Sequence, residues 1–270
     1  MKQILYLESG DRKAGLFSYV MQVIVMAKVC EDQNIPMYID FSQDMLYYKN
    51  GQTNDNVWNY YFEQPYLGLD LNEYEKVKAV WYQDQRPLQL PFRYEKNSDF
   101  LKQARKYCKQ YIKIKSDLLE AANNFIKNST NQNYLAVHKR GTDHENVNYF
   151  TLENYFTETD KYIDNYDQLL VCSDEQFSID AFKERYGSKV ISYDSIRETE
   201  QNPPRRKGAH YKDNCNNFVY GNGRDCVIEA YLLSQAKFLL KTLSNVSHYA
   251  VMSNENLDFV WIDSGYKTFY

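Results

Sequence analysis

The sequence predicts an α/β protein built on parallel sheets, and three observations carry that expectation. Short apolar runs, "KQILYLES" (2–9), "IPMYIDF" (35–41), "YLAVH" (134–138), "QLLVCSD" (168–174), "KVISYD" (189–194) and "KFLLKTLS" (237–244), recur along the chain with helical segments between them. Alternation of this kind implies parallel strands covered on both faces. The composition is that of an ordered globular chain: of 270 residues, 43% are hydrophobic and 25% charged, with only 10 Gly and 6 Pro.

Taken in order, residues 2–9 read as a buried strand. Residues 15–33 carry Leu16, Val20, Val23 and Ala27, with Phe17 and Ile24 offset, at helical spacing. With the strand at 35–41, this β, glycine-bearing loop, α, β order opens a doubly wound unit. Residues 44–97, rich in Tyr, Asn and Gln and weakly periodic, read as irregular connections with short helices. A helix from Ser98 with Phe100, Leu101, Ala104, Tyr107 and Cys108, and a second from Ser116 with Leu118, Leu119, Ala122, Phe125 and Ile126, lead to the polar turn "KNSTNQN". That turn sets the expected boundary: an N-terminal Rossmann-like unit over 1–130, a second unit over 131–255, and a segment over 256–270 that packs back on the first.

A formal net charge of −4 argues against a nucleic-acid binder, which needs a concentrated basic face. Five cysteines, none spaced as C-x-x-C, suggest neither a disulfide framework nor a zinc site. The N-terminal apolar run is broken by Glu8 and Asp11, too soon for a secretory or membrane-spanning segment, so a cytoplasmic location without a membrane span is expected. The 26 tyrosines suit the flat faces of sugars and bases, or reflect coding bias.

Ligands of doubly wound sheets lie outside the carboxyl ends of the strands. Arg140, Thr142, Asp143 and His144 follow one strand; Ser173, Asp174 and Glu175 follow another; Ser244, Asn245 and Ser247 follow a third. Arg140 offers a planar fork to a phosphate, and Gly141 lets backbone N–H groups come close. Residues 244–247 fit a helix start that favours an anion. Asp174 and Glu175 suit ribose hydroxyls or the donor groups of a guanine edge. Blander roles compete: Ser173 with Gln176 fits an S-x-x-Q capping box, Asp143 fits a pair with Arg140, and His138 fits a satisfied near-core side chain. Jointly, these residues point to a crevice for a nucleoside diphosphate.

"VHKRGTDH" (137–144) resembles the first motif of the fucosyltransferase superfamily that includes α-1,6-fucosyltransferases, nodulation fucosyltransferases and protein O-fucosyltransferases. "LLVCSDE" and "VIEAYLLSQAKFLLKTLSNVS" resemble its second and third motifs, and "GLFSYVMQVIVMA" its glycine-led first helix. The resemblance implies a GT-B-like fold, with two Rossmann-like parallel-sheet units facing a cleft, and a GDP-fucose donor held mainly by the second unit, with no cofactor. It implies a diphosphate contact for Arg140, nucleoside contacts for Asp174 and Glu175 and a phosphate contact for Ser244; His138, Gly141, Asp143, Glu229, Asn245, Ser247 and Gly15, which leads the first helix, are the further donor-binding candidates. Glu229 stands where several relatives carry Asp. Position 141 is Gly, as in the O-fucosyl branch, so the acceptor glycan is not implied.

The expected reaction is transfer of L-fucose from GDP-β-L-fucose to a glycan hydroxyl with inversion. For the base, Glu145 leads because it closely follows the Arg-Gly-Thr-Asp turn, with His144 and Asp11 in reserve and a solvated loop carboxylate as the bland alternative for Glu145. The absence of an Asp-x-Asp pair suggests a metal-independent site in which cations and helix ends neutralise the leaving group. Arg224 is a further phosphate candidate, or a helix-surface ion pair. The loop at 198–214 with Arg205, Arg206 and Lys207 reads first as an exposed basic loop and second as a flap. Two alternatives stay open: the same scaffold with a rhamnose, xylose or mannose donor, and a non-catalytic nucleotide- or glycan-binding module.

Overall fold

The structure, a computed structural model, describes residues 2–9, 14–42, 47, 55–80, 88, 91, 93–141, 150–199 and 218–262. Strand β1 (Lys2–Glu8) runs parallel to β2 (Met37–Asp40) on one side and β3 (Tyr74–Val80) on the other, so β1 is central in a sheet ordered β2-β1-β3. Alternate residues Leu5, Leu7, Met37 and Ile39 enter one apolar cluster with α1 (Leu16–Gln33), whose Val20, Val23, Ile24 and Ala27 are fully buried. Asn34 ends α1 in the left-handed region (φ 51), and its amide donates to the carbonyls of Cys30 and Glu31.

Strand β3 lies inside the stretch that the sequence reads as irregular. Its sequence YEKVKAV is polar on the outward face, with Lys76 and Lys78 exposed, so no apolar run announces it. Pairing with β1 from Lys2↔Tyr74 to Glu8↔Val80 makes it a strand. The short helix α2 (Trp58–Tyr61) lies in the same stretch, ahead of β3, with Trp58 buried and stacked on Phe62. Helices α3 (Asp99–Tyr111) and α4 (Ser116–Ser129) begin where expected; Ser98 Oγ caps α3 by accepting from Leu101 N (3.3 Å).

The second sheet is assembled from β4 (Tyr134–Lys139), α5 (Leu152–Asp160), β5 (Gln168–Ser173), α6 (Gln176–Tyr186), β6 (Val190–Ile191), α7 (Phe218–Ser234), β7 (Phe238–Lys241), α8 (Asn245–Ser253) and β8 (Asp258–Trp261). All its pairings are parallel, in the order β6-β5-β4-β7-β8. Every residue of β4 is buried, because it is flanked by β5 and β7 and covered on both faces. Its Tyr134 and Ala136 point into the cluster shared with α1, α3 and α7, while Leu135 and Val137 join Val171, Phe182 and Leu240 on the opposite face. The larger cluster therefore runs continuously across the turn at 130–133.

Residues 258–261, expected in a segment packing on the first unit, form the edge strand of the second sheet. Contacts with residues of the 1–130 stretch exist there too: Trp261 Nε1 donates to Tyr94 O (3.1 Å) and Lys96 pairs with Asp258. No helix among the described residues is long and apolar enough to cross a membrane.

Between α2 and the first turn of α7 the backbones approach closely. Tyr61 stacks on Tyr220 (centroids 5.6 Å, 18° between planes) and its hydroxyl donates to Tyr220 O (3.0 Å). A Cβ on Gly223 would sit 2.5 Å from that hydroxyl oxygen. Gly223→Ala should therefore cost about 1–3 kcal/mol through overpacking, read as a lower urea midpoint with an unchanged slope.

Candidate functional site

The order of the second sheet fixes where a ligand can lie. From β4 the chain winds outward through β5 to β6, then returns to the other side of β4 with β7 and continues to β8. The reversal opens a crevice at the carboxyl ends of β4 and β7. Arg140 leaves β4 and Ser244 follows β7 on the same edge, and the β4–β7 register (Val137↔Leu240) sets these two exits side by side. In the first sheet the corresponding reversal lies beside β1, whose loop leads to Gly15 at the N-cap of α1.

The two helix starts are tied together. Asn245 Nδ2, in the first turn of α8, donates to Ser18 Oγ in the first turn of α1 (3.0 Å), and the Phe17 and Tyr249 rings pack at 5.2 Å. Ser244 caps α8 without a side-chain hydrogen bond to the helix; its carbonyl accepts from His248 N (2.9 Å). The Tyr47 hydroxyl accepts from Leu16 N (3.0 Å), satisfying one early donor of α1. Two positive dipole ends thus converge on the crevice.

Asp174 organises the β4 exit. Its Oδ1 accepts from Gly141 N (2.7 Å), its Oδ2 lies 3.5 Å from Arg140 Nε, and its carbonyl accepts from Glu198 N (2.8 Å). Arg140 is thereby held half-buried at the mouth of the crevice. Gly141 is required here by space alone: a Cβ would fall 1.8 Å from the Glu175 carboxyl carbon.

Glu175, expected at the nucleoside, instead points inward. Its carboxylate accepts from Lys139 Nζ and from Ser178 Oγ (2.8 Å), and the Lys139 and Glu175 side chains are only 5% and 4% exposed. Each charge in such a pair has lost water, and the attraction of its partner offsets that cost. The capping box expected at Ser173 is also replaced. Glu175 is the N-cap residue, and Ser173 Oγ accepts from Glu175 N (3.2 Å), because β5 continues through Ser173 before the helix begins.

Three other candidates are engaged by the protein itself. Glu229 on α7 is buried and accepts from Ser195 Oγ (2.7 Å) and Arg197 Nη2 (3.3 Å); burial pushes its carboxyl up to about 7, against the pull of Arg197. Arg224 places both Nε and Nη2 on the buried Asp225 Oδ1 (2.9 and 2.7 Å). Ser247 is fully buried and donates to the carbonyls of Ser244 and Thr242, stitching the turn rather than facing a ligand. Asp11, Thr142, Asp143, His144, Glu145 and the basic residues 205–207 lie outside the described residues.

Below the crevice sits a group of nitrogen bases that sequence reasoning missed apart from His138. Lys241 on β7 is fully buried with no hydrogen-bond partner for Nζ, which lies 3.4 Å from the Trp261 ring centroid. Burial pushes its pKa well below the ordinary lysine value. His138 Nδ1 is likewise unpartnered; burial carries its pKa down to about 3, with Arg140, Lys241 and Lys139 adding repulsion against the attraction of Asp174. His248 donates to or accepts from Tyr94 Oη (2.7 Å) and is held well below its usual value by burial and by Lys241 and His138. Burial thus disfavours the charged form of all three groups, while Arg140 and the helix starts supply positive potential at the crevice. Sequence carried no signal for Arg197 or Lys241, because their roles depend on strands and helices brought together by the fold.

No family model matches the sequence, and no curated protein matches it. Solved structures do. A NodZ α-1,6-fucosyltransferase soaked with GDP-fucose superposes with a TM-score of 0.61 over 94% of this chain and 93% of its own, at 12% identity. This chain has the fold of that fucosyltransferase. A second NodZ structure, from Bradyrhizobium, gives the same TM-score over 93% and 92% of the two chains, again at 12% identity. A variant of Arabidopsis thaliana FUT1 in complex with GDP matches with a TM-score of 0.54 at 11% identity, covering 97% of this chain and 70% of that one. The two parallel sheets, of three and five strands, are thus a GT-B-like pair, as the NodZ likeness indicates.

Removing one partner of the Lys139–Glu175 pair leaves a buried charge uncompensated. Glu175→Ala should lower stability by about 3–5 kcal/mol, measured by urea unfolding followed by tryptophan fluorescence.

Proposed function

We propose that the protein is a glycosyltransferase that moves L-fucose from GDP-β-L-fucose to a glycan hydroxyl, inverting the anomeric centre without a metal ion. One observation carries the reading: the starts of α1 and α8, joined through Asn245 and Ser18, converge beside the Arg140 exit at the reversal of the second sheet. Anions are stabilised at such helix starts, and a guanidinium adds bonds of about 1.5–3 kcal/mol each when the partner is charged. A diphosphate satisfies this arrangement. The fold shared with a NodZ structure soaked with GDP-fucose supports a guanosine diphosphate sugar as its source.

In the proposed reaction the bond from the anomeric carbon to the diphosphate oxygen breaks, and its electron pair leaves with the diphosphate. Arg140 and the two helix starts stabilise that growing charge. The acceptor oxygen attacks the opposite face and its proton passes to a general base, for which we propose the Glu145 carboxylate, with His144 and Asp11 as the other candidates. Among the described residues no three His, Cys, Asp or Glu side chains gather as a metal site; the metal-free reading rests on the cation and helix ends taking the metal's electrostatic role.

Arg140→Ala should weaken GDP binding by tenfold or more in calorimetry while leaving the unfolding free energy within about 1 kcal/mol of wild type. An unchanged dissociation constant would remove Arg140 from the site. Against a panel of GDP-fucose, GDP-mannose, GDP-rhamnose and UDP-xylose, release of GDP from GDP-fucose should dominate, and EDTA should leave it intact. Glu145→Gln should depress turnover more than donor affinity; full activity would send the base elsewhere.

A further inference from the structure

Residues 193–199 cross the carboxyl edge of the second sheet as a strap, anchored along its length. Glu229 accepts from Ser195 Oγ (2.7 Å) and Arg197 Nη2 (3.3 Å), and Asp225 Oδ2 accepts from Ile196 N (3.0 Å), all from α7. At its far end Glu198 N donates to Asp174 O and Glu198 O accepts from Gln176 N, each at 2.8 Å. The Arg197 side chain is 6% exposed, also donates to the carbonyls of Ser195 and Tyr193, and has an unpartnered Nε. Glu229 is its counter-charge among the described residues. The strap ends on the residue whose carboxylate holds Gly141 and Arg140.

We infer that Glu229 is a positioning residue for donor binding: its carboxylate fixes Arg197, the strap fixes Asp174, and Asp174 fixes Arg140 against the diphosphate. The inference rests on the donor reading above. It also departs from the sequence expectation of a direct donor contact, since the Glu229 carboxylate is turned into the strap.

The link is sensitive to pH because of what surrounds Glu229. Burial pushes its pKa up to about 7; Arg197 and Ser195 lower it, and Asp225 and Asp174 raise it further. Tyr193 on the strap, Cys172 on β5 and Cys226 on α7 also face it, and burial keeps both thiols protonated. Above about 7 the carboxylate is ionised and bound to Arg197. Below it Glu229 takes up a proton, the ion pair becomes a bond from the Arg197 cation to a neutral acid, and Arg197 is left in a dry site without its counter-charge. The strap then loosens, and with it the Asp174 grip on Arg140.

Hydrogen exchange on the ligand-free protein tests the first half. After correction for intrinsic rates, the amides of Ile196 and Glu198 should exchange about tenfold faster at pH 6 than at pH 8. In Glu229→Gln, a permanent stand-in for the protonated acid, they should be fast at both. Equal protection at the two pH values, or a variant that follows wild type, overturns the inference; wild type alone decides it should the variant fail to fold. GDP calorimetry tests the second half. Affinity should fall about tenfold more in wild type than in Glu229→Gln between pH 8 and pH 6, the variant absorbing any titration of GDP itself. A purely packing role would weaken both proteins without a step near pH 7. If the strap responds but the two proteins lose GDP affinity in parallel, the coupling fails. If neither binds GDP at any pH, the donor reading falls and takes the coupling with it, while the exchange step still reports on the strap.

Discussion

The arrangement of the crevice depends on one aspartate. Asp174 sits at the end of β5, next to the reversal of the sheet, and its three acceptor oxygens serve three different pieces of backbone and side chain. It helps to fix the direction of the segment leaving β4, because residues 140 and 141 lie beyond the strand and Gly141 N and Arg140 Nε both meet its carboxylate. A charge-assisted bond to a backbone amide is among the stronger single constraints available at a strand end. The position of Arg140 is therefore a property of β5 as much as of β4.

Buried charge is used here as scaffolding. Lys139, Glu175, Arg197 and Glu229 are all nearly sealed from water, and each meets an opposite charge. Paired burial contributes little net stability compared with apolar side chains of the same size, but it defines geometry, since each group tolerates only positions that satisfy it. The absence of a Cβ at position 141 belongs to the same packing: the Glu175 carboxylate occupies the space that any larger residue would need.

Tyrosine hydroxyls bond backbone groups within each half of the molecule and, at Tyr61, between the halves. Tyr47 caps α1, Tyr61 bonds the first turn of α7, and Tyr134 donates to Leu232 O (2.8 Å) beneath α7. In each case the ring is buried in apolar space while the hydroxyl bonds a backbone group. The abundance of tyrosine, which in the sequence suggests platforms for sugars or bases, has in these positions a structural use.

Much was legible in the residues alone. Strands β1, β2, β4, β5 and β7 announce themselves as apolar runs, and α1, α3 and α4 by helical spacing, because those patterns are imposed by local geometry and burial. The grouping of Arg140, Asp174 and Ser244 at strand ends followed from alternation of strand and helix. Tertiary structure decided the rest. Strand β3 exists because β1 offers it a ladder, although its outward face is polar, and β8 because β7 has an open edge. Whether an acid at a strand end faces a ligand or the interior depends on which cation the neighbouring strand delivers. Lys139 turned Glu175 inward and Arg197 claimed Glu229, while Asp174 stayed at the rim to hold Arg140. Spacing along a chain encodes periodicity, but the pairing of charges from distant segments is set only when those segments meet.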